Sequence, residues 1–191
     1  MLPGPRGDRE TMAKKTKKAA AGNNGTDETP QGAAMAQAAP EGAQFGILVQ
    51  FVKDISFESP NAPMSLQSPG ENPKLGVNVQ VSALKRSPDL YEVNIMFEAQ
   101  AESDAGVIYN VELVYATLFQ AMNIPEEYLK PVLFVDAPTI MFPYLRRVVS
   151  DLTRDGGFQP LLVDPIDFSG LFQHNKDKAV IQDLSGEAQS A

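Results

Sequence analysis

From Phe45 onward apolar and polar positions alternate with a period of two, and the alternation predicts strands with one buried and one wet face. In FGILVQFVKDISFE (45–58), Phe45, Ile47, Val49, Phe51, Ile55 and Phe57 take odd positions with Lys53 among them, and Asp54, Ser56 and Glu58 take even ones. KLGVNVQVSAL (74–84) sets Leu75, Val77, Val79 and Val81 against Gly76, Asn78, Gln80 and Ser82. LYEVNIMFEAQA (90–101) opposes Tyr91, Val93, Ile95 and Phe97 to Glu92, Asn94, Met96 and Glu98. VIYNVEL (107–113) opposes Val107, Tyr109, Val111 and Leu113 to Ile108, Asn110 and Glu112. The short turns KRSPD and ESDAG make the last three an antiparallel meander, apolar on one side only. The wet face of these four strands thus collects Asp54, Glu58, Glu92, Glu98 and Glu112.

Beyond the strands the period changes. NIPEEYLKPVLF (123–134) places Pro125, Glu126 and Glu127 where a helix begins, carboxylates at its positive end. In PTIMFPYLRRVVSDLTRDGGF (138–158), Met141, Leu145, Val148, Val149 and Leu152 recur at helical spacing, and Gly156 and Gly157 stop the helix. Pro143 marks either a late start or a kink. DPIDFSGLFQHNKDK (164–178) predicts a last helix capped at Asp164 with Pro165 in its first position. The order of elements is thus four strands followed by helices.

Composition sets the limits. The chain of 191 residues is 43% hydrophobic, enough for one domain with a sizeable core. Residues 1–44 have no aliphatic or aromatic periodicity and read as a disordered tail, with the folded domain at 45–174 and a flexible acidic tail at 175–191. The N-terminal tail carries six Lys and Arg against five Asp and Glu; from residue 45 onward the count is ten against nineteen. Lys14, Lys15, Lys17 and Lys18 form a basic cluster, but the acidic domain behind it would repel phosphate backbones, so no nucleic-acid partner is expected. Its natural charged partner is a basic surface. No apolar run reaches the ~20 residues of a membrane span, and no apolar segment follows the lysines as in a secretion signal, so neither membrane insertion nor targeting is expected.

The chain contains no cysteine, which excludes disulfides, zinc thiolates and Cys nucleophiles and fits a reducing cytosol. The single His174 lies in a polar run near the C-terminus. No phosphate loop or acidic metal loop stands out: RDGGF closes a helix instead of opening one, and Asp164 and Asp167 read as caps. Nothing nominates an enzyme, a metal or a cofactor; a small ligand held between sheet and helices is the rival reading.

KDISFESPNAP after a strand, then YEVNIMFEAQA, YNVEL, IMFPYLRR and PIDFSGLF, in this order from Phe45 to Phe172, resemble SecB, the bacterial export chaperone family. The resemblance implies an α+β fold, a four-stranded antiparallel sheet with helices packed on one face, and a homotetramer, a dimer of dimers, that holds unfolded preproteins in apolar grooves and passes them to the SecA motor without hydrolysing anything itself. It implies SecA contacts at Asp54, Glu58 and Glu112. Asn110 faces the same way, where the family often has an apolar residue. It implies a client groove at Leu75, Val77, Phe168 and Phe172; the loop MSLQSPGENP lacks the aromatic the family often places there. The far face of the fourth strand (Val111, Leu113, Tyr115), with the helix from Pro125, carries more apolar surface than a lone small sheet hides, and is expected near the contact between dimers.

Overall fold

The four expected strands form, each longer than its alternation alone suggests: β1 Gln44–Glu58, β2 Lys74–Ser87, β3 Leu90–Ser103 and β4 Gly106–Met122. These are seen in a computed structural model that describes residues 42–186. The N-terminal tail, but for its last three residues, lies outside the described residues, as does the chain after residue 186. β4 runs past Leu113 because Tyr115, Thr117, Phe119 and Ala121 continue its odd face, and all four are buried. β2, β3 and β4 form the expected meander, and β1 crosses over to pair antiparallel with β4, giving the order β1-β4-β3-β2. A connection carrying a short helix, α1 (Met64–Gln67), makes the crossover.

A fifth strand extends the four-stranded expectation. β5 (Ile181–Asp183) pairs in parallel with Ala83–Lys85 of β2, so part of the expected flexible tail is structured. Ala179, just before it, is buried, and Ile181 packs against the core. The acidic residues of this segment concealed those apolar anchors.

β1 departs from its own pattern. Its pairing with β4 slips by one residue between Ile47 and Val49 and again between Val52 and Asp54. Each slip inserts an extra residue, and one extra residue turns every following side chain to the other face. Phe45, Ile47, Ile55 and Phe57 therefore face the helices as expected. Val49 and Phe51 do not: they stand opposite Leu118 and Ala116 on the outer face, while Gln50 and Val52 turn inward opposite Thr117 and Tyr115.

The helices cover the inner face. α2 (Glu126–Pro131), a π-helical turn (Val132–Asp136) and α3 (Ala137–Asp155) run on without a break. Pro143 lies inside α3, on its exposed side, where the carbonyl left without an N–H partner can meet water. Ala137, Met141, Leu145 and Val149, four apart, are fully buried where α3 packs on β3 and β4. Thr153 fastens the end of α3: its hydroxyl donates to the Val149 carbonyl at 3.0 Å and accepts from the Leu161 amide at 2.9 Å. The last helix, α4 (Phe168–His174), starts later than expected. Its cap is Asp167, whose carboxylate accepts from the Gly170 amide at 2.9 Å, and not Asp164.

Candidate functional site

The second slip of β1 precedes Asp54, so residues 54–58 keep the parity read from the sequence. Asp54, Ser56 and Glu58 stand opposite Val114, Glu112 and Asn110 of β4, all on the outer face. β3 continues the surface, with Glu98 opposite Glu112 and Gln100 opposite Asn110. The Gln100 amide donates to the Asn110 side-chain oxygen at 3.0 Å, and Asn78 donates to Glu98 at 3.1 Å. Gly76 adds no side chain beside them, and the outer face sinks there into a shallow depression of about 470 Å³ bordered by Glu98 and Glu112. The structure thus gathers Asp54, Glu58, Asn110 and Glu112 on one surface and adds Glu98, whose like-charge position opposite Glu112 becomes visible only with the register. Like charges facing one another are unfavourable, and a basic group placed over them would relieve the repulsion.

Glu92 is the exception among the acids assigned to the wet face. It is on that face but only 6% exposed. Lys53, the extra residue of the second slip, donates to its Oε1 at 2.6 Å, and Arg86 of β2 donates to Oε2 at 2.7 and 3.0 Å. Burial pushes the Glu92 carboxyl up, but the hydrogen bonds and charges of Lys53 and Arg86 outweigh it and hold the group below the usual glutamate range. A folded value below the unfolded one means stability that is present above about pH 4.5 and fades as pH falls through the folded value. Glu92→Gln should therefore melt below wild type at neutral pH, with the gap shrinking under acid. Thermal melts showing the same gap at every pH would contradict this pairing.

Three of the four residues expected to line a client groove, Leu75, Val77 and Phe172, lie toward the opposite, helix-bearing side. Leu75 and Val77 of β2 belong to the inner face by register, opposite Ala101 and Ala99, yet remain 47% and 45% exposed. Along the same strand a cleft of about 480 Å³ opens between Asn78–Ser82 and the Leu171, Phe172 and Asn175 side of α4, with Phe134 at its base. Among the described residues β2 is paired on this side only at Ala83–Lys85, so the backbone from Leu75 to Ser82 is an open edge. Phe172 lines the cleft and stacks on Phe134 with ring centroids 6.0 Å apart. Phe168 does not belong there: it is 3% exposed, edge-on to Phe142 in the core.

The expected assembly residues also need correction. Val111, Leu113 and Tyr115 are on the inner face of β4 as parity requires, but α3 covers them and none reaches the surface of the chain. Large apolar residues are left uncovered elsewhere, among them Ile47, Val52 and Ile55 on β1, whose outer edge is unpaired among the described residues, and Ile140 and Tyr144 on the outer side of α3.

An open strand edge with bare aliphatic side chains on one side of an α+β sheet, and an acidic face on the other, are features an extended polypeptide and a basic surface can use. The family model described as "Preprotein translocase subunit SecB" matches residues 37–179. A Protein-export protein SecB from Rhodopseudomonas palustris (strain TIE-1) is 41% identical over 142 residues, which are 73% of this chain and 90% of that one. One from Caulobacter vibrioides (strain NA1000 / CB15N) is 43% identical over 148 residues, 75% of this chain and 91% of that one. Among solved structures, a Mycobacterium tuberculosis SecB-like chaperone in complex with a ChAD peptide from an antitoxin has the same fold, with a TM-score of 0.53 at 17% identity, covering 64% of this chain and 90% of that one. The chain belongs to the SecB family of protein-export chaperones.

Proposed function

We propose that the chain is a cytoplasmic, ATP-independent holdase that keeps preproteins unfolded and delivers them to the SecA motor. The carrying observation is the separation of two surfaces on opposite sides of one sheet: exposed Leu75 and Val77 beside an open β2 edge, and exposed Asp54, Glu58 and Glu112 outside. An extended client can add backbone hydrogen bonds along β2 whatever its sequence, while aliphatic contacts supply affinity without specificity. SecA docks through basic groups on the acidic face, so one chaperone can hold a client and meet the motor together. The chain assembles as a homotetramer, a dimer of dimers, through the uncovered residues of the β1 edge and α3. It requires neither nucleotide nor metal.

The test is a paired titration of SecA and of an unfolded client. Asp54→Lys or Glu58→Lys changes an exposed side chain, so stability should move by about half a kcal/mol or less. SecA affinity should fall about tenfold or more, because repulsion replaces attraction. In wild type it should fall as salt rises, since exposed charges are screened over ~8–10 Å. Client should bind as before, with EDTA present and ATP absent. Loss of client with retention of SecA would mean that the two surfaces are reversed; client binding with no SecA affinity in wild type would favour a holdase for clients outside export.

A further inference from the structure

The middle of β1 is arranged against its own hydrophobic pattern. With a single unbroken register from Phe45 to Phe57, Val49 and Phe51 would join Ile47 and Ile55 on the inner, helix-bearing side, and so would Lys53. Instead two slips turn residues 49–52 over. The reversal leaves Val49 and Phe51 on the outer face, 47% and 37% exposed, and puts Gln50 on the inner side with its amide nitrogen unpaired. The unpaired amide is unfavourable, and the exposed side chains are no better covered than Ile47 and Ile55 on the other side. The offset is at the second slip: Lys53 escapes the apolar side and reaches across β4 to Glu92, a nearly buried carboxylate on β3 that Arg86 holds from β2. A lysine on the core side, or a buried carboxylate short of a partner, would cost more than one exposed valine and one exposed phenylalanine. The first slip then restores the parity that seats Phe45 on Phe119, their rings stacked 4.6 Å apart.

What the reversal displays has a location. Val49 and Phe51 lie opposite Leu118 and Ala116 on the outer face, and Val114, the next outward residue of β4, stands opposite Asp54. An apolar strip thus continues directly from the acidic docking face. We infer that the Lys53–Glu92–Arg86 cluster is a positioning device that turns residues 49–52 of β1 outward, and that the strip of Val49, Phe51, Val114 and Leu118 docks the apolar side chains of the same basic segment that the acidic residues attract. The partner element is therefore both basic and apolar, its cations over Asp54, Glu58 and Glu112 and its aliphatic or aromatic side chains over Phe51. The docking half of this inference rests on the acidic-face reading above; the positioning half does not.

Two measurements test it on the full chain. In methyl-labelled protein, NOEs should link the Val49 and Leu118 methyls, and the Phe51 ring with the Ala116 methyl. Lys53→Leu completes the odd apolar stripe and should abolish these NOEs as residues 49–52 turn inward; Glu92→Gln should do the same, and Lys53→Leu keeps the test open if Glu92→Gln does not fold. Persistence of the wild-type NOEs in a folded Lys53→Leu or Glu92→Gln protein overturns the positioning role. In the second measurement SecA is titrated against wild type, Phe51→Ser and Asp54→Lys. Phe51→Ser should weaken SecA about tenfold and leave client affinity unchanged. Wild-type SecA affinity in Phe51→Ser alongside weak binding by Asp54→Lys overturns the strip as a docking element. Wild-type affinity in Asp54→Lys overturns the acidic-face reading and the strip's docking role with it, while the NOEs still decide what the cluster does.

Discussion

Replacing Leu75 and Val77 together by aspartate should abolish the retention of unfolded client while leaving the fold and SecA docking in place. Both side chains are half exposed, so little core is lost. Full burial of such a side chain is worth about 1.5–3 kcal/mol, and the exposed half of each is what a client can still cover. Covered by a client, the two together would supply about 2 kcal/mol of affinity, roughly thirtyfold, before the cost of pressing two carboxylates against an apolar chain is added. The mutated side chains point to the inner side of β2, away from Asp54, Glu58 and Glu112, so SecA should bind as it does to wild type. Aggregation of a denatured client followed by light scattering reads the effect. Suppression equal to wild type by the folded double variant would remove this part of β2 from the client surface.

The parts of this molecule written in strict alternation were legible, and the exceptions have a common cause. β3 and β4 put Tyr91, Val93, Ile95 and Phe97, and Tyr109, Val111 and Leu113, on the buried face their parity required. The outward acids of β1 were legible because the slip falls before Asp54; the reversal of Val49 and Phe51 was not, because it depends on a counterion 39 residues away in sequence. Glu92 misled for the same reason: on an outer face a carboxylate reads as solvated until Lys53 and Arg86 are seen to close over it. Val111, Leu113 and Tyr115 had the correct face but the wrong cover, since strand parity says that a residue is buried and not whether α3 or a second copy buries it. Phe168 and Phe172 share a helical spacing, and only the packing separates the one against Phe142 from the one lining the cleft. β5 had no legible signal beyond its single isoleucine, because a three-residue strand is specified by the edge it meets.

Gly156→Val should be strongly destabilising. Gly156 has an ordinary right-handed backbone, so the need for glycine there is one of space. A β-carbon at this position would overlap the ring of Phe57. That ring has little freedom to withdraw, because it stacks on Tyr109 at 5.9 Å and meets Phe158 at 6.3 Å, while Tyr109 and Phe158 are themselves 5.1 Å apart. The end of α3 and the end of β1 are thus fitted together at one point, and overpacking there should cost about 3 kcal/mol. For a chain of this size that is a fall of about 6–12 °C in Tm, measured at fixed protein concentration. Gly157→Ala provides the contrast: its φ of +89° penalises any β-carbon through the backbone, independently of Phe57. Phe57→Leu should partly rescue Gly156→Val and leave Gly157→Ala unrescued, because only the first shares a contact with the ring. Phe57 is also the neighbour of Glu58, so the unrescued Gly156→Val protein should lose SecA affinity more than client affinity. Equal melting of Gly156→Val and wild type would show that the aromatic cluster yields at no cost and does not fix the end of β1.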